Sequence, residues 1–173
     1  LTAAIKDAQK NWQRATHVGT GRGLVERVAS NRRIELTDGT ILGRSSNTKS
    51  EPKLREYPEG VIDPWVRTVA VLEDDRTVAY LHYYASHPQS FYGDSRASYD
   101  VPGIIRERLE QKTGVFQLYL TGCGGDVAFG KYNDGSLEDR EKLTDRLQSG
   151  IEKSIASVST EPVRSMAWSV TPV

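Results

Sequence analysis

Trp65-Val66-Arg67-Thr68-Val69-Ala70-Val71-Leu72, followed by Glu73-Asp74-Asp75-Arg76 and then Thr77-Val78-Ala79-Tyr80-Leu81-His82-Tyr83-Tyr84-Ala85, sets the architecture of this chain. Val, Thr, Tyr and Leu dominate both flanks, and such residues suit a pleated, packed surface. The four charged residues between the flanks break the apolar pattern, so the stretch predicts an antiparallel hairpin of buried strands. Downstream, 115–120 adds a third strand. Before it, 100–111 reads as a short helix, with Asp100 as its cap, Pro102 in the first turn, and Ile105 and Leu109 facing inward. The longest helix is expected over 136–157, where Leu143, Leu147, Ile151 and Ile155 form an apolar stripe that Gly150 weakens. Residues 164–173 alternate and predict a last strand.

Upstream of the hairpin the signals are shorter. Residues 1–13 suggest a helix through Ile5, Ala8 and Trp12, and 16–28 suggest short strands around Gly19, Gly21 and Gly23. Two runs, 33–36 and 40–42, flank Thr37-Asp38-Gly39, a hairpin turn signal. The polar tract 43–64 holds Pro52, Pro58 and Pro64 and is expected to be disordered or to wrap the surface. The order of elements predicts an α/β or α+β fold in which mixed β-sheet layers are flanked by helices.

The composition narrows the function classes. Lys+Arg and Asp+Glu both total 23, so no overall field favours nucleic acid or an anionic membrane. No run of about 18 apolar residues is present, so no bilayer-spanning segment is expected. Cys123 has no partner for an internal disulfide. The chain begins at Leu1 and its one methionine is Met166, so 1–173 is expected to be a single domain or a fragment of a larger protein.

Chemistry concentrates at the ends of the two central strands. His87 lies where the first strand stops, with Pro88 after it, a place suited to a metal ligand or an acid/base. A half-buried, hydrogen-bonded histidine is the alternative. His82 lies an odd number of residues earlier, on the opposite strand face, and reads as a core or cross-strand histidine. His17 reads as structural or exposed. The second strand ends in Gly122-Cys123-Gly124-Gly125-Asp126, where consecutive N–H groups could face one acceptor. It lacks the lysine-serine ending of a Walker loop and the third spaced glycine of a dinucleotide fingerprint. Ser98 and Asp100 could orient a ligand, and Phe129-Gly130-Lys131-Tyr132-Asn133-Asp134-Gly135 reads as an exposed loop able to line a pocket.

Three blocks in order, His87-Pro88-Gln89-Ser90, Ser98-Tyr99-Asp100-Val101-Pro102-Gly103 and Gly122-Cys123-Gly124-Gly125-Asp126-Val127, resemble the N-terminal domain of the neutral/alkaline non-lysosomal ceramidases. Asn31-Arg32-Arg33 is similar to that family's asparagine-arginine-serine element without the serine. The resemblance covers about 15–128. It implies a zinc amidase cleaving an N-acyl bond, its zinc held by two histidines, a glutamate and a tyrosine. His87 matches the second histidine, and the other three ligands would belong to remaining segments of a parent protein.

By the same resemblance, Gly124, Gly125 and Asp126 would form the catalytic loop, while Ser90, Ser98, Asp100 and Tyr132 would contact a small-molecule or lipid-like substrate. It further implies secretion or membrane association. Ala128 stands where the family keeps a serine, so an amide or ester other than ceramide's is expected. Two readings from other classes stay open: a non-metal hydrolase using Cys123 and His87, and a non-catalytic lipid- or carbohydrate-binding domain with a tyrosine-rich face of Tyr80, Tyr83, Tyr84, Tyr92 and Tyr99.

Overall fold

The computed structural model of the chain describes residues 2–91 and 95–171. In chain order its elements are α1 (Thr2–Ala8), β1 (His17–Leu24), β2 (Ser30–Asn31), β3 (Arg33–Glu35), β4 (Ile41–Gly43), β5 (Trp65–Glu73), β6 (Arg76–Tyr84), α2 (Asp100–Thr113), β7 (Phe116–Thr121), β8 (Val127–Ala128), α3 (Leu137–Ala156) and β9 (Ser159–Pro162). The main sheet runs β7-β6-β5-β1-β9, and β2–β8 and β3–β4 form small two-stranded pairs. The β6–β7 pair is parallel, with α2 in the connection; the other neighbours are antiparallel. The fold is therefore α+β with a mixed sheet, as the order of elements predicts.

The β5–β6 hairpin forms as read from the sequence, closing through Glu73↔Arg76 with Asp74 at φ +53°. Aspartate tolerates that left-handed conformation better than a branched residue would. α2 and α3 cover one face of the sheet. Val101, Ile105 and Leu109 of α2 meet Leu143, Leu147 and Ile151 of α3 over Val66 and Tyr84, all fully buried. Each such aliphatic side chain contributes roughly 1.5–3 kcal/mol through removal from water. Ser136 caps α3 by accepting from the Asp139 N–H at 3.1 Å.

Glycine sets how closely α3 lies on β1. A Cβ placed on Gly21 would fall 2.2 Å from the Ser154 carbonyl oxygen, and one on Gly23 2.0 Å from that of Gly150. Gly150, expected only to weaken the helix, faces the same seam: its own Cβ would lie 2.4 Å from Val25 Cγ2. At Gly21 and Gly23 the nearest atoms are helix backbone, so no side chain can turn away there to make room.

Three expectations are corrected. The last described strand is 159–162 and not the expected 164–173, of which 172–173 lie outside the described residues: its backbone pairs with His17–Thr20, and after Val163 donates to the Thr16 carbonyl the chain leaves the sheet. Met166, Trp168 and Val170 are 93%, 89% and 81% exposed. The N-terminal helix ends at Ala8, because Ile5 and Trp12 find nothing to pack against and remain exposed. The tract 129–135 is not an exposed loop, since Phe129 and Asn133 are fully buried.

The polar tract 43–64 wraps a buried cation. Arg44 donates from Nη2 to the carbonyls of Asn31 and Pro58, both at 2.9 Å, and from Nη1 to Leu54 at 3.1 Å and Tyr57 at 3.3 Å. Burial lowers its pKa. A single side chain thereby satisfies a turn that has almost no regular structure of its own.

His82 is the cross-strand histidine expected. Its Nδ1 lies 2.9 Å from Thr68 Oγ1 and its Nε2 2.8 Å from Gln117 Oε1, beneath the helices. Burial lowers its pKa, with the Gln117 contact opposing. The folded protein thus binds a proton there less readily than the unfolded chain. Stability should be full above the ordinary histidine value near 6.5 and fall as the pH drops through it, by at most about 1.4 kcal/mol per pH unit for one linked proton. Urea unfolding between pH 7.5 and 5 checks this, and His82→Gln should flatten that part of the curve.

Candidate functional site

The parallel pair β6–β7 ends in two adjoining loops. After β6 the chain runs Ala85-Ser86-His87; after β7 it runs through the glycine loop 122–126 into β8. The Gly122 N–H donates to the Tyr84 carbonyl (3.0 Å), the His87 N–H to the Val127 carbonyl (2.8 Å), and the Val127 N–H back to Gly124 (2.7 Å). His87 and Ala128 form a parallel bridge. A Cβ on Gly124 would sit 3.0 Å from the Ser86 carbonyl carbon and 3.1 Å from the His87 nitrogen, so the loop lies directly on the backbone that carries His87. Gly125 has open space instead.

The backbone of His87 is fixed, while its ring is half-buried and hydrogen-bonds to no described residue. Such a ring fits a metal ligand on its free nitrogens. Among the described residues no group of three or more His, Cys, Asp or Glu side chains could hold a metal ion. A zinc ion at His87 would need further ligands from elsewhere.

Asp126 closes the glycine loop onto the segment 31–33. Its Oδ2 accepts from Asn31 Nδ2 at 3.1 Å, its Oδ1 from Arg33 Nε at 2.8 Å, and its carbonyl from the Arg32 N–H at 2.6 Å. The hydrogen bond that Arg33 donates to Asp126 raises the Arg33 pKa. Between these groups opens a cleft of about 420 Å³ lined by Arg32, Arg33, Arg44, Ser45, Gly125 and Asp126. The sequence signal for this pairing is Asn31-Arg32-Arg33, the element that resembles the ceramidases' asparagine-arginine-serine.

The residues after His87 are tied down from several sides. Ser90 is fully buried; its N–H donates to Asp100 Oδ2 at 3.0 Å and its hydroxyl to Asp100 Oδ1. Asp100 is therefore not the helix cap expected. It sits at φ +50° with Tyr99 as the N-cap residue, and its carboxylate serves Ser90 and the Val101 N–H. Ser98 Oγ accepts from the Asp100 N–H and from Arg140 Nη2, both at 3.0 Å, while the Arg140 guanidinium lies 4.3 Å over the Phe91 ring.

Asn133, which no sequence signal singled out, joins this network from below by donating to the carbonyls of Ser46 and Ser90, both at 2.8 Å. Gln89 accepts from Ser46 Oγ at 3.2 Å. Tyr132 stands apart: its hydroxyl donates to Glu59 Oε1 at 2.5 Å, and burial, then Glu59, push its pKa up to about 12. The structure thus joins Ser90, Ser98 and Asp100 in one cluster and His87, Gly124 and Asp126 in another, with Tyr132 in neither.

Cys123 is free and exposed. The tyrosines do not share a face. Tyr80 and Tyr84 point to the helix side with His82, Tyr83 points to the other side, and Tyr99 is bonded to Glu107 on α2. Tyr92 lies outside the described residues. Among the described residues no helix is long and apolar enough to cross a membrane.

No protein-family model matches the sequence, and no curated protein is significantly similar to it. Solved structures do match. Neutral ceramidase from Pseudomonas aeruginosa superposes with a TM-score of 0.62 at 14% identity, over 90% of this chain and 25% of that one. A ceramidase complexed with C2 superposes with a TM-score of 0.54 at 12% identity, over 88% of this chain and 24% of that one. The chain spans about a quarter of the length of these structures. It therefore shares the fold of part of a ceramidase.

Proposed function

We propose that this chain is part of a ceramidase-like hydrolase that cleaves an amide (N-acyl) or related bond in a lipid-like substrate, with His87, at the end of the β6–β7 pair, as a zinc ligand. The observation that carries the reading is the half-buried His87 ring, free of hydrogen bonds to described residues, on a backbone clamped by Val127, Ala128 and Gly124. The ceramidase-like fold supports it. Zinc held there would supply Lewis-acid polarisation of a scissile carbonyl and a water of lowered pKa.

The chain's own residues position this site. Gly124 lets the loop lie against His87, and Asp126, with both oxygens engaged by Asn31 and Arg33, holds the loop to the neighbouring segment. Asp100 and Ser90 fix the chain that leaves His87. Ala128 offers no hydroxyl beside the histidine, which favours a bond other than ceramide's.

The metal content of the longer parent polypeptide tests the reading. One zinc per molecule is expected, with His87→Ala reducing it to a small fraction. Stoichiometric zinc retained by His87→Ala would sink the assignment. Hydrolysis that survives a chelator and is lost on Cys123→Ser would favour a thiol nucleophile instead.

A further inference from the structure

Strands β1, β5, β6 and β7 carry apolar residues on both faces of the main sheet, yet the helices cover only one. Cross-strand register places Val18, Val69, Val71, Leu81, Leu118 and Leu120 together on the side away from α2 and α3. None belongs to the buried core, and each is only half-buried by its neighbours in the sheet. Phe116, at the β7 edge of the same face, is 55% exposed. Antiparallel sheets with one wet face alternate apolar and polar residues, whereas near-continuous apolar strands are those buried on both sides. Arg22 and Arg67 rim this face where Arg22 stacks on Trp65 at 4.8 Å.

A second observation points to what covers it. Beyond β9, the sheet's edge strand, Met166, Trp168 and Val170 alternate with Ala167 and Ser169 in a strand-like pattern while standing free of the sheet. That is how a strand looks when its pairing partners are missing. We infer that the open face is the inner face of a sheet-on-sheet sandwich, covered by a second β-sheet from the remainder of a longer polypeptide, and that 164–171 is a strand of that second sheet. Two sheets pack about 10 Å apart through interdigitating apolar side chains, and this face presents such a row. The solved structures this chain matches are about four times its length, which leaves ample chain for such a layer. The inference rests on the reading of the chain as part of a larger hydrolase.

Hydroxyl-radical footprinting of the 173-residue chain and of the longer polypeptide tests it without any substitution. Oxidation of Leu81 and Leu118, which report the face, and of Met166 and Trp168, which report the tail, should be about tenfold slower in the longer polypeptide, as for side chains moved from solvent into a sheet–sheet core. Equal rates at either pair overturn the corresponding half of the inference. Protection already present in the 173-residue chain and lost on dilution identifies a second copy as the occupant and overturns it. Protection that needs phosphatidylcholine vesicles identifies a membrane surface and does the same. A native gene product no longer than this chain overturns it outright. None of these readouts involves zinc or turnover, so a failure here is distinct from a failure of the hydrolase reading.

Discussion

Gly23→Ala is expected to lower the free energy of unfolding by about 3 kcal/mol, the upper range for overpacking a close contact. The added methyl would meet the Gly150 carbonyl oxygen at 2.0 Å and the Ser154 nitrogen at 2.7 Å. Both are helix backbone, so relief requires α3 to lift from β1 and open the seam beside Val25 and Ile151. For a chain of this size the loss corresponds to a fall in melting temperature of roughly 10 °C. Gly21→Ala, facing the Ser154 carbonyl, should act in the same direction. Gly125→Ala is the control: it has open space and no positive φ, and should change stability by no more than about 0.5 kcal/mol. Thermal and urea unfolding of the three variants decide the matter. A Gly23→Ala protein that melts with the wild type would show that α3 does not lie where the structure has it.

Arg44→Met is expected to cost about 4 kcal/mol, because several buried carbonyls lose their donor at once and each orphaned acceptor costs about 1–3 kcal/mol. Relief from burying a cation offsets part of this, in keeping with the lowered pKa of Arg44. The damage should concentrate in 45–60, which is held by Arg44 and by Lys131 donating to Arg55 at 2.6 Å. Arg44→Lys should recover only part of the loss, since one ammonium cannot span the carbonyls of Asn31, Leu54, Tyr57 and Pro58 as the planar fork does. Urea midpoints give the free energies. Limited proteolysis should show faster cutting within 45–60 in the variant, and an unchanged cutting pattern would contradict the role given to Arg44.

What could be read from the sequence divides along a physical line. The β5–β6 hairpin, β7 and α3 were legible because local periodicity and burial agree over eight or more residues, or over one short strand flanked by clear turns. Asp100 misled because a short-range rule, aspartate before a helix, competed with a long-range partner: Ser90 claims the carboxylate, and the backbone adopts a left-handed conformation to deliver it. Arg44 was invisible because its partners are main-chain carbonyls, which leave no mark in a sequence. The strand expected at 164–173 shows the converse: its alternating pattern is present in the sequence, but no strand of the main sheet pairs with 164–171 and Met166, Trp168 and Val170 stay exposed.

In the candidate site, His87 and the glycine loop were legible as strand ends rich in polar and flexible residues. That Asp126 spends both carboxylate oxygens on Asn31 and Arg33 was not, since the partners lie more than ninety residues away. The fully buried Asn133 gave no signal for the same reason: its two acceptors, the carbonyls of Ser46 and Ser90, belong to separate loops.

The place of β1 in the sheet bears on how the chain is made. Its neighbours are β5 and β9, and its glycine seam is filled by α3. On a ribosome that delivers about 5–20 residues per second, β1 therefore leaves the tunnel many seconds before the last of its partners exists. The hairpin of β5 and β6 offers it an early edge, but the seam stays bare until residue 154 has been added. Such distant pairings slow folding and leave strand edges open while they wait. A nascent chain stalled before α3 should consequently be a client for chaperones, with the glycine strand as the surface they hold.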